Sequence, residues 1–165
     1  LEQANEITLA GVFYEVWVFA IAPIEQVISY AIELRLAAVQ LHGQENQTYI
    51  DSLRIRLPAQ CQIWIAKGVK NTLPTLEESD VDYFLLDCQI GEQSGGTGQS
   101  FSWQLLDAIT DKSYIVLAGG ITPDNIKQAA NLQVAMLDLN SGVESAPGIK
   151  QQDKINLAFS QLREY

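Results

Sequence analysis

Residues 114–123 read YIVLAGGITP, an apolar run that is followed by a glycine pair and a Thr-Pro step. A short apolar run without alternation predicts a strand that is buried on both faces, as in a parallel sheet. Gly119 and Gly120 let the backbone approach a ligand closely at the end of that strand. Thr122 and Pro123 predict the start of a helix, with a capping hydroxyl and a proline in its first position. The stretch therefore predicts a strand, a loop and a helix in succession.

Apolar runs of this kind recur along the chain. They occupy residues 15–20, 37–41, 62–66, 83–86, 114–118 and 134–139. Helical periodicity lies between them, as at Ile24, Val27, Ile28 and Ala31, and again over residues 155–162. We expect a helix after each strand, which is the pattern of a parallel sheet with crossover helices. A doubly wound sheet and a (βα)8 barrel both use such units, and 165 residues have room for six of them, whereas a complete barrel needs at least about 200 residues.

The composition is that of a globular chain with an excess of acid. The 20 acidic and 10 basic side chains give a formal net charge of −10 at pH 7. This balance argues against nucleic acid, whose phosphates are met by lysine and arginine. No apolar run is long enough to cross a membrane and no basic leader is visible, so we expect a cytoplasmic protein with a single domain over residues 1–165. A single histidine and 2 cysteines leave little capacity for a metal, and we expect no cofactor.

Two strand-end loops can hold an anion without any positive side chain. In parallel βα proteins, ligands bind at the carboxyl ends of the strands. Gly119-Gly120 follows one apolar run and Ser141-Gly142 follows the next. Backbone N–H groups from both loops can therefore bind one phosphate group. The alternative interpretation is that these glycines only turn the chain.

Further candidates stand at the ends of apolar runs. Asp87 follows residues 83–86, where partial burial would favour the protonated form and permit general acid catalysis; a capping aspartate is the alternative. Asp138 lies inside the last run and either points into the site or makes a buried hydrogen bond. His42 is the only histidine and is either a binding residue or a hydrogen-bonded structural one. Nothing in the pattern pairs Cys88 with a base, so we interpret it as a packing residue.

The strand-end motifs resemble those of the phosphoribosylanthranilate isomerase family. The matching stretches are LAAVQLHG at residues 36–43, LLD at 85–87 with GGTGQSFSW at 95–103, LAGGITPDN at 117–125, and LDLNSGVE at 137–144 with PGIK at 147–150. Their wording looks most like the isomerase domain that is fused behind an indole-glycerol-phosphate synthase domain. The resemblance implies an α/β fold of the (βα)8 TIM-barrel type, of which this chain covers the third to the eighth strand.

The resemblance also implies a reaction in tryptophan biosynthesis. This is the Amadori rearrangement of N-(5'-phosphoribosyl)anthranilate to its 1-deoxyribulose 5-phosphate product. A general acid protonates the ribose ring oxygen and opens the ring, and a general base then removes the proton on C2'. Asp87 matches the family's acid, and Asp138 matches a carboxylate beside the site. The loops at Gly119-Gly120 and Ser141-Gly142 match the family's phosphate cradle.

Departures from the family bear on activity. The family's first two strands, which carry the cysteine base of a Cys-Gly motif and a Ser-Pro-Arg loop, have no counterpart in the sequence. Cys61 and Cys88 lie in the wrong strands to replace that base. Trp17, Ile21 and Ile65 stand where the family carries small or polar residues. Their common direction of change favours an interior repacked with hydrophobic side chains over local compensation.

The missing strands have a physical consequence. A closed barrel has no free strand edges, whereas a sheet running from the third to the eighth strand exposes two. We expect this chain to associate through those edges, or to be completed by an N-terminal segment. Three hypotheses about function follow: an isomerase domain, a non-catalytic fragment or engineered scaffold built on the same barrel, and a phosphate-binding module for another ligand.

Overall fold

The computed structural model describes residues 14–90, 93–94 and 101–163. Its strands are β1 (Val16–Phe19), β2 (Ala38–Leu41), β3 (Gln62–Val69), β4 (Tyr83–Ile90), β5 (Gln93–Ser94), β6 (Ile115–Leu117), β7 (Met136–Leu137), β8 (Glu144–Ala146) and β9 (Ile149–Lys150). Its α-helices are α1 (Ile24–Glu33), α2 (Gln47–Arg56), α3 (Ile126–Ala130) and α4 (Gln152–Arg163), and two 3₁₀ helices cover Trp103–Ala108 and Ser141–Val143. Every predicted apolar run contains a strand, which confirms the α/β class.

The contacts group the described residues into two compact units. The first unit contains the described residues up to Ala66 together with Leu76–Tyr83. Its strands are parallel and follow the order β1-β2-β3, with Phe19 opposite Leu41 and Leu41 opposite Ile65. Every residue of β2 is buried, and β2 has a paired strand on each side.

Helices α1 and α2 complete the core of the first unit. The face of α1 that is buried carries Val27, Ile28 and Ala31, as the helical spacing predicts. The cap residue of α2 is Asn46, whose Oδ1 accepts a hydrogen bond from the N–H of Tyr49 at 3.0 Å. Such a cap satisfies a backbone donor that the first turn of a helix leaves without a partner.

The second unit contains Lys67–Thr75 and the described residues from Phe84 onward. Its parallel strands follow the order β4-β6-β7, with Phe84 opposite Ile115 and Leu117 opposite Leu137. All of β6 is buried, β5 pairs with the end of β4 in the antiparallel sense, and β8 and β9 form a separate antiparallel hairpin. The carboxyl ends of β4, β6 and β7 therefore meet at one edge of this sheet.

The expectation of a helix after every strand is wrong after β3. Residues 70–82 contain no helix. Their sequence, KNTLPTLEESDVD, has a proline near its centre and no apolar face of helical period, so a helix there would bury little. Between β4 and β6, the only helix among the described residues is the 3₁₀ helix Trp103–Ala108. Within the described ranges, no helix has both the length and the apolar content of a membrane span.

The hydrophobic residues that depart from the family have different environments. Ile65 is buried, and Trp17 is half-buried with its ring centroid 5.6 Å from that of Tyr30. Ile21, however, is 84% exposed, with a backbone φ of 53°. The prediction of a repacked interior is therefore wrong for Ile21, because an exposed side chain packs nothing.

Candidate active site

The second unit has a cleft at the carboxyl ends of β4, β6 and β7. It is lined by Asp87, Gly119, Gly120, Ile121, Asp138, Asn140, Ser141 and Gly142. The cleft thus brings together six of the seven residues that the sequence predicts for the site. The predicted GGTGQS stretch at residues 95–100 lies outside the described residues.

Asp87 lies inside β4, which continues to Ile90 and does not end before the aspartate as the sequence suggests. It is half-buried and follows two fully apolar, buried neighbours, Leu85 and Leu86. Its Oδ1 accepts a hydrogen bond from the N–H of Cys88 at 2.7 Å. This bond orients the carboxyl group of Asp87 in the cleft.

The glycines of the cleft are required by close backbone approaches. Gly119 and Gly120 have φ values of 80° and 69°, which side chains with a Cβ rarely adopt. A Cβ on Gly119 would lie 2.6 Å from Oδ1 of Asp87, so the backbone of Gly119 packs directly on the carboxylate. A Cβ on Gly142 would lie 1.8 Å from the carbonyl oxygen of Ile121. The two glycine loops therefore touch each other, and both leave backbone at the cleft.

Asn125 cross-links the loop that carries the glycine pair. Its Oδ1 accepts from the N–H of Thr122 at 2.8 Å, and its Nδ2 donates to the carbonyl oxygen of Gly120 at 2.9 Å. The predicted helix start at Thr122 and Pro123 is wrong, because α3 begins at Ile126 and the segment before it is a turn held by Asn125. The sequence signal was an asparagine after a Thr-Pro step, which is typical of a side chain that bonds nearby backbone.

Asp138 follows β7, and its N–H donates to the carbonyl oxygen of Leu117 at 2.8 Å. Burial of the carboxyl group raises the pKa of Asp138 above its ordinary value. The negative charge of Asp87 raises this pKa further, whereas the ammonium of Lys150 lowers it. The residue as a whole is exposed, so water screens part of these effects. The cleft therefore places two carboxylates close enough to influence each other.

Lys150 and Glu144 form an ion pair next to the cleft that sequence reasoning missed. Their atoms Nζ and Oε1 are 2.7 Å apart, and Lys150 also donates to Asn140. The bond from Lys150 lowers the pKa of Glu144, and a bond from the N–H of Gly148 adds to this effect. The two charges face each other because Glu144 and Lys150 are partners in the β8–β9 hairpin. No apolar pattern in the sequence indicates such a hairpin, which explains the omission.

His42 is not among the described residues that line this cleft. It follows β2 in the first unit, where its N–H donates to the carbonyl oxygen of Phe19 at 2.8 Å. Its Nδ1 lies 3.5 Å from Nε2 of Gln40. The first of these is a backbone bond and the second contact is long for a hydrogen bond, so both roles of His42 stay predictions.

The cysteines are both buried. Burial raises the pKa of the Cys61 thiol, which disfavours the thiolate that a nucleophile or base requires. Cys88, next to Asp87, is likewise enclosed, which agrees with a packing role. Within the part of the chain that the structure describes, no group of three His, Cys, Asp or Glu side chains converges as a metal site.

Comparisons with known proteins agree with this geometry. The family model described as "N-(5'phosphoribosyl)anthranilate (PRA) isomerase" matches residues 1–161. The "Tryptophan biosynthesis protein TrpCF" of Vibrio cholerae is 47% identical over 166 residues, covering 100% of this chain and 34% of that protein. The protein of the same name from Yersinia pestis is 51% identical over 151 residues, covering 91% of this chain and 30% of that protein. The chain thus spans about one third of the length of the curated relatives it matches.

Solved structures give the same result. The crystal structure of phosphoribosyl anthranilate isomerase from Thermus thermophilus matches with a TM-score of 0.84 at 29% identity, over 99% of this chain and 80% of that one. A phosphoribosyl anthranilate isomerase in complex with reduced 1-(o-carboxyphenylamino)-1-deoxyribulose 5-phosphate matches with a TM-score of 0.74 at 27% identity, over 99% of this chain and 79% of that one. The family model, the curated relatives and the solved structures all match this chain over nearly its whole length. The chain therefore belongs to the N-(5'-phosphoribosyl)anthranilate isomerase family, and the relatives it matches are named as tryptophan biosynthesis proteins.

Proposed function

We propose that the cleft binds the phosphate group of N-(5'-phosphoribosyl)anthranilate and that Asp87 acts on its ribose ring. The observation that carries the proposal is the convergence of a carboxyl group and two glycine loops in one cleft. Glycine loops can offer backbone N–H groups to a phosphate, which suits a chain with a net charge of −10. A related solved structure holds an analogue with the same sugar phosphate chemistry.

In the proposed reaction, Asp87 donates its proton to the ring oxygen. The C1'–O bond breaks, and the aniline nitrogen supplies the electron pair for a Schiff base. A base then takes the proton from C2', and the electrons move to the nitrogen to give an enolamine that tautomerises to the ketose. The place of Asp87 in the lining of the cleft supports the acid role, because a general acid must lie within hydrogen-bond reach of the atom that it protonates.

The second step of this reaction also requires a base that takes the proton from C2'. Neither Cys61 nor Cys88 suits that role, since both thiols are buried. The family's Cys-Gly motif does not occur in the sequence. A non-catalytic member that keeps the phosphate site is the second candidate, and a site for a different sugar phosphate is the third.

Activity and binding measured on the same samples separate these candidates. We expect Asp87→Asn to reduce turnover of N-(5'-phosphoribosyl)anthranilate by about 10²- to 10⁴-fold, the usual loss for a general acid, without weakening the binding of ribose 5-phosphate. Asp107→Asn, at an exposed position of the 3₁₀ helix Trp103–Ala108, is the matched control and should change neither quantity. Binding without turnover in the parent chain would favour the non-catalytic candidate. A parent chain that shows no binding and no turnover would contradict the proposal.

We infer three further properties from the family membership. The strands belong to a TIM-barrel type of fold, in which they occupy the third to the eighth positions. An indole-glycerol-phosphate synthase domain accompanies this domain, as the fused type of isomerase and the short span on the relatives suggest. The protein works in the cytoplasm. Self-association through strand edges is argued in the Discussion as a separate prediction.

A further inference from the structure

Lys150 donates hydrogen bonds to Asn140, a residue that lines the cleft. Its Nζ donates to the carbonyl oxygen of Asn140 at 3.0 Å, to Oδ1 of the same residue, and to Oε1 of Glu144 at 2.7 Å. An ammonium group has three N–H donors, and these three acceptors use all of them. Lys150 therefore acts on the cleft through Asn140 and has no donor left for a ligand.

Asn140 connects Lys150 to the loop at Ser141 and Gly142, the phosphate loop. It lines the cleft and precedes the 3₁₀ helix Ser141–Val143. Its carbonyl oxygen accepts from both Lys150 and the N–H of Val143, the latter at 3.3 Å. A shift of Asn140 would thus move Ser141 and Gly142, and Gly142 has no free space against Ile121.

The hairpin fixes Lys150 itself. Glu144 is its partner in the β8–β9 register, and Oε2 of Glu144 accepts from the N–H of Gly148 at 3.2 Å. The ammonium of Lys150 is therefore held from the hairpin and aimed at the residue before the phosphate loop.

We propose that Lys150 is a positioning residue of the phosphate site, which holds Asn140 and with it the Ser141–Gly142 backbone in the arrangement that binds the phosphate group. The inference rests on the proposed function of the cleft. A second effect of the same ammonium is electrostatic, because the charged groups that face Asp138 are Asp87 from β4 and Lys150 from β9. Removal of Lys150 should therefore raise the pKa of Asp138, which reports that the ammonium faces the cleft.

The test compares Lys150→Met with Lys154→Met. Both substitutions remove one positive charge next to Glu144, but Lys154 does not bond Asn140 in the structure. Calorimetric titration with ribose 5-phosphate should show about tenfold weaker binding for K150M. The reason is the loss of the charged hydrogen bonds from Lys150 to Asn140, since one such bond corresponds to about a tenfold change in affinity. Binding by K154M should stay within about twofold of the parent on the same scale. Lys150→Arg, which keeps the charge, should recover part of the affinity.

The carboxyl resonance of Asp138, followed by NMR against pH, is the second measurement. Its pKa should rise in K150M and not in K154M. Equal losses of affinity in the two methionine variants, or an unchanged Asp138 titration in K150M, would overturn the inference. If the parent chain does not bind ribose 5-phosphate, the proposed function fails and the inference fails with it, whereas a parent that binds and a K150M variant that binds equally well overturn the inference alone. Lys150→Gln replaces K150M if the methionine variant does not fold.

Discussion

Asp138 lies beside a second carboxylate, and the fold raises its pKa through burial first and through the charge of Asp87 second. A folded pKa above the unfolded value of about 3.9 gives stability that is fully present below that value and is lost as pH rises through the folded pKa. We therefore expect Asp138→Asn to increase the free energy of unfolding at pH 7. The gain should be small, about 0.5 kcal/mol or less, because the residue remains exposed to screening by water.

Urea unfolding of parent and variant at pH 7 and at about pH 3, below the unfolded pKa, measures this effect. The difference should shrink at the acidic pH, where Asp138 is protonated in both states of the parent. Asp111→Asn is a control of opposite sign, since hydrogen bonds from Ser113 lower the pKa of the fully exposed Asp111. A lower stability of D138N at pH 7 would show that the charge of Asp138 is compensated in the fold.

The residues of the cleft could be predicted from the sequence where they lie at the end of an apolar run or shortly after it. Asp87, Asp138 and the glycines belong to this group, because the carboxyl ends of parallel strands converge whatever the details of packing. Asn125 and Lys150 were missed for a different reason. Their importance depends on which backbone atom a side chain reaches, and a turn or a hairpin register decides that, not a periodicity.

At the scale of one element, Gly142 is the tightest point of the phosphate loop. A Cβ there would lie 1.8 Å from the carbonyl oxygen of Ile121, which belongs to the backbone and cannot rotate away. Gly142→Ala must therefore push the 3₁₀ helix Ser141–Val143 away from the loop that carries Gly119 and Gly120. We expect a loss of about 1–3 kcal/mol in the free energy of unfolding, together with weaker binding of ribose 5-phosphate.

Chemical denaturation and calorimetric titration of G142A measure the two effects. The matched control is Gly148→Ala in the β8–β9 turn, where a Cβ would meet nothing within 4 Å. Its φ of 78° still makes an alanine cost about 1–2 kcal/mol, so G148A reports a backbone cost without a clash at the cleft. Equal affinity of G142A and the parent for ribose 5-phosphate would remove Gly142 from the proposed site.

The elements themselves were only partly predictable. Apolar runs located the strands because burial on both faces of a parallel sheet requires them. They did not give the strand lengths: β3 and β4 continue past the predicted ends, through polar residues such as Lys67 and Asp87, whereas β7 has two residues. Backbone pairing with neighbouring strands extends or shortens a strand irrespective of its own hydropathy. Residues 70–82 contain no helix, so the strand–helix repeat predicted an element that does not form there.

At the scale of the whole molecule, exposed apolar side chains lie next to strand edges. In the first unit, β1 pairs with β2, and Val18 of β1 is 58% exposed. In the second unit, the surface between α3, β7 and α4 forms a groove lined almost entirely by aliphatic side chains and Phe159. Phe159 is itself 58% exposed. Among the described residues, β1 and β7 each pair with one strand at the end of the sheet order, and exposed apolar residues beside such a strand favour association with another chain.

We therefore expect this 165-residue chain to self-associate, with a mass by size-exclusion chromatography and light scattering that rises with concentration. Val18→Lys should shift the equilibrium toward the monomer, because a charge on β1 is costly to bury in a new pair of strands. The control is Ile55→Lys, which places the same charge on an exposed residue of α2, 83% accessible and not in a strand. A concentration-independent monomer of the parent would contradict association outright, and equal effects of V18K and I55K would show that the contact does not use the edge at β1.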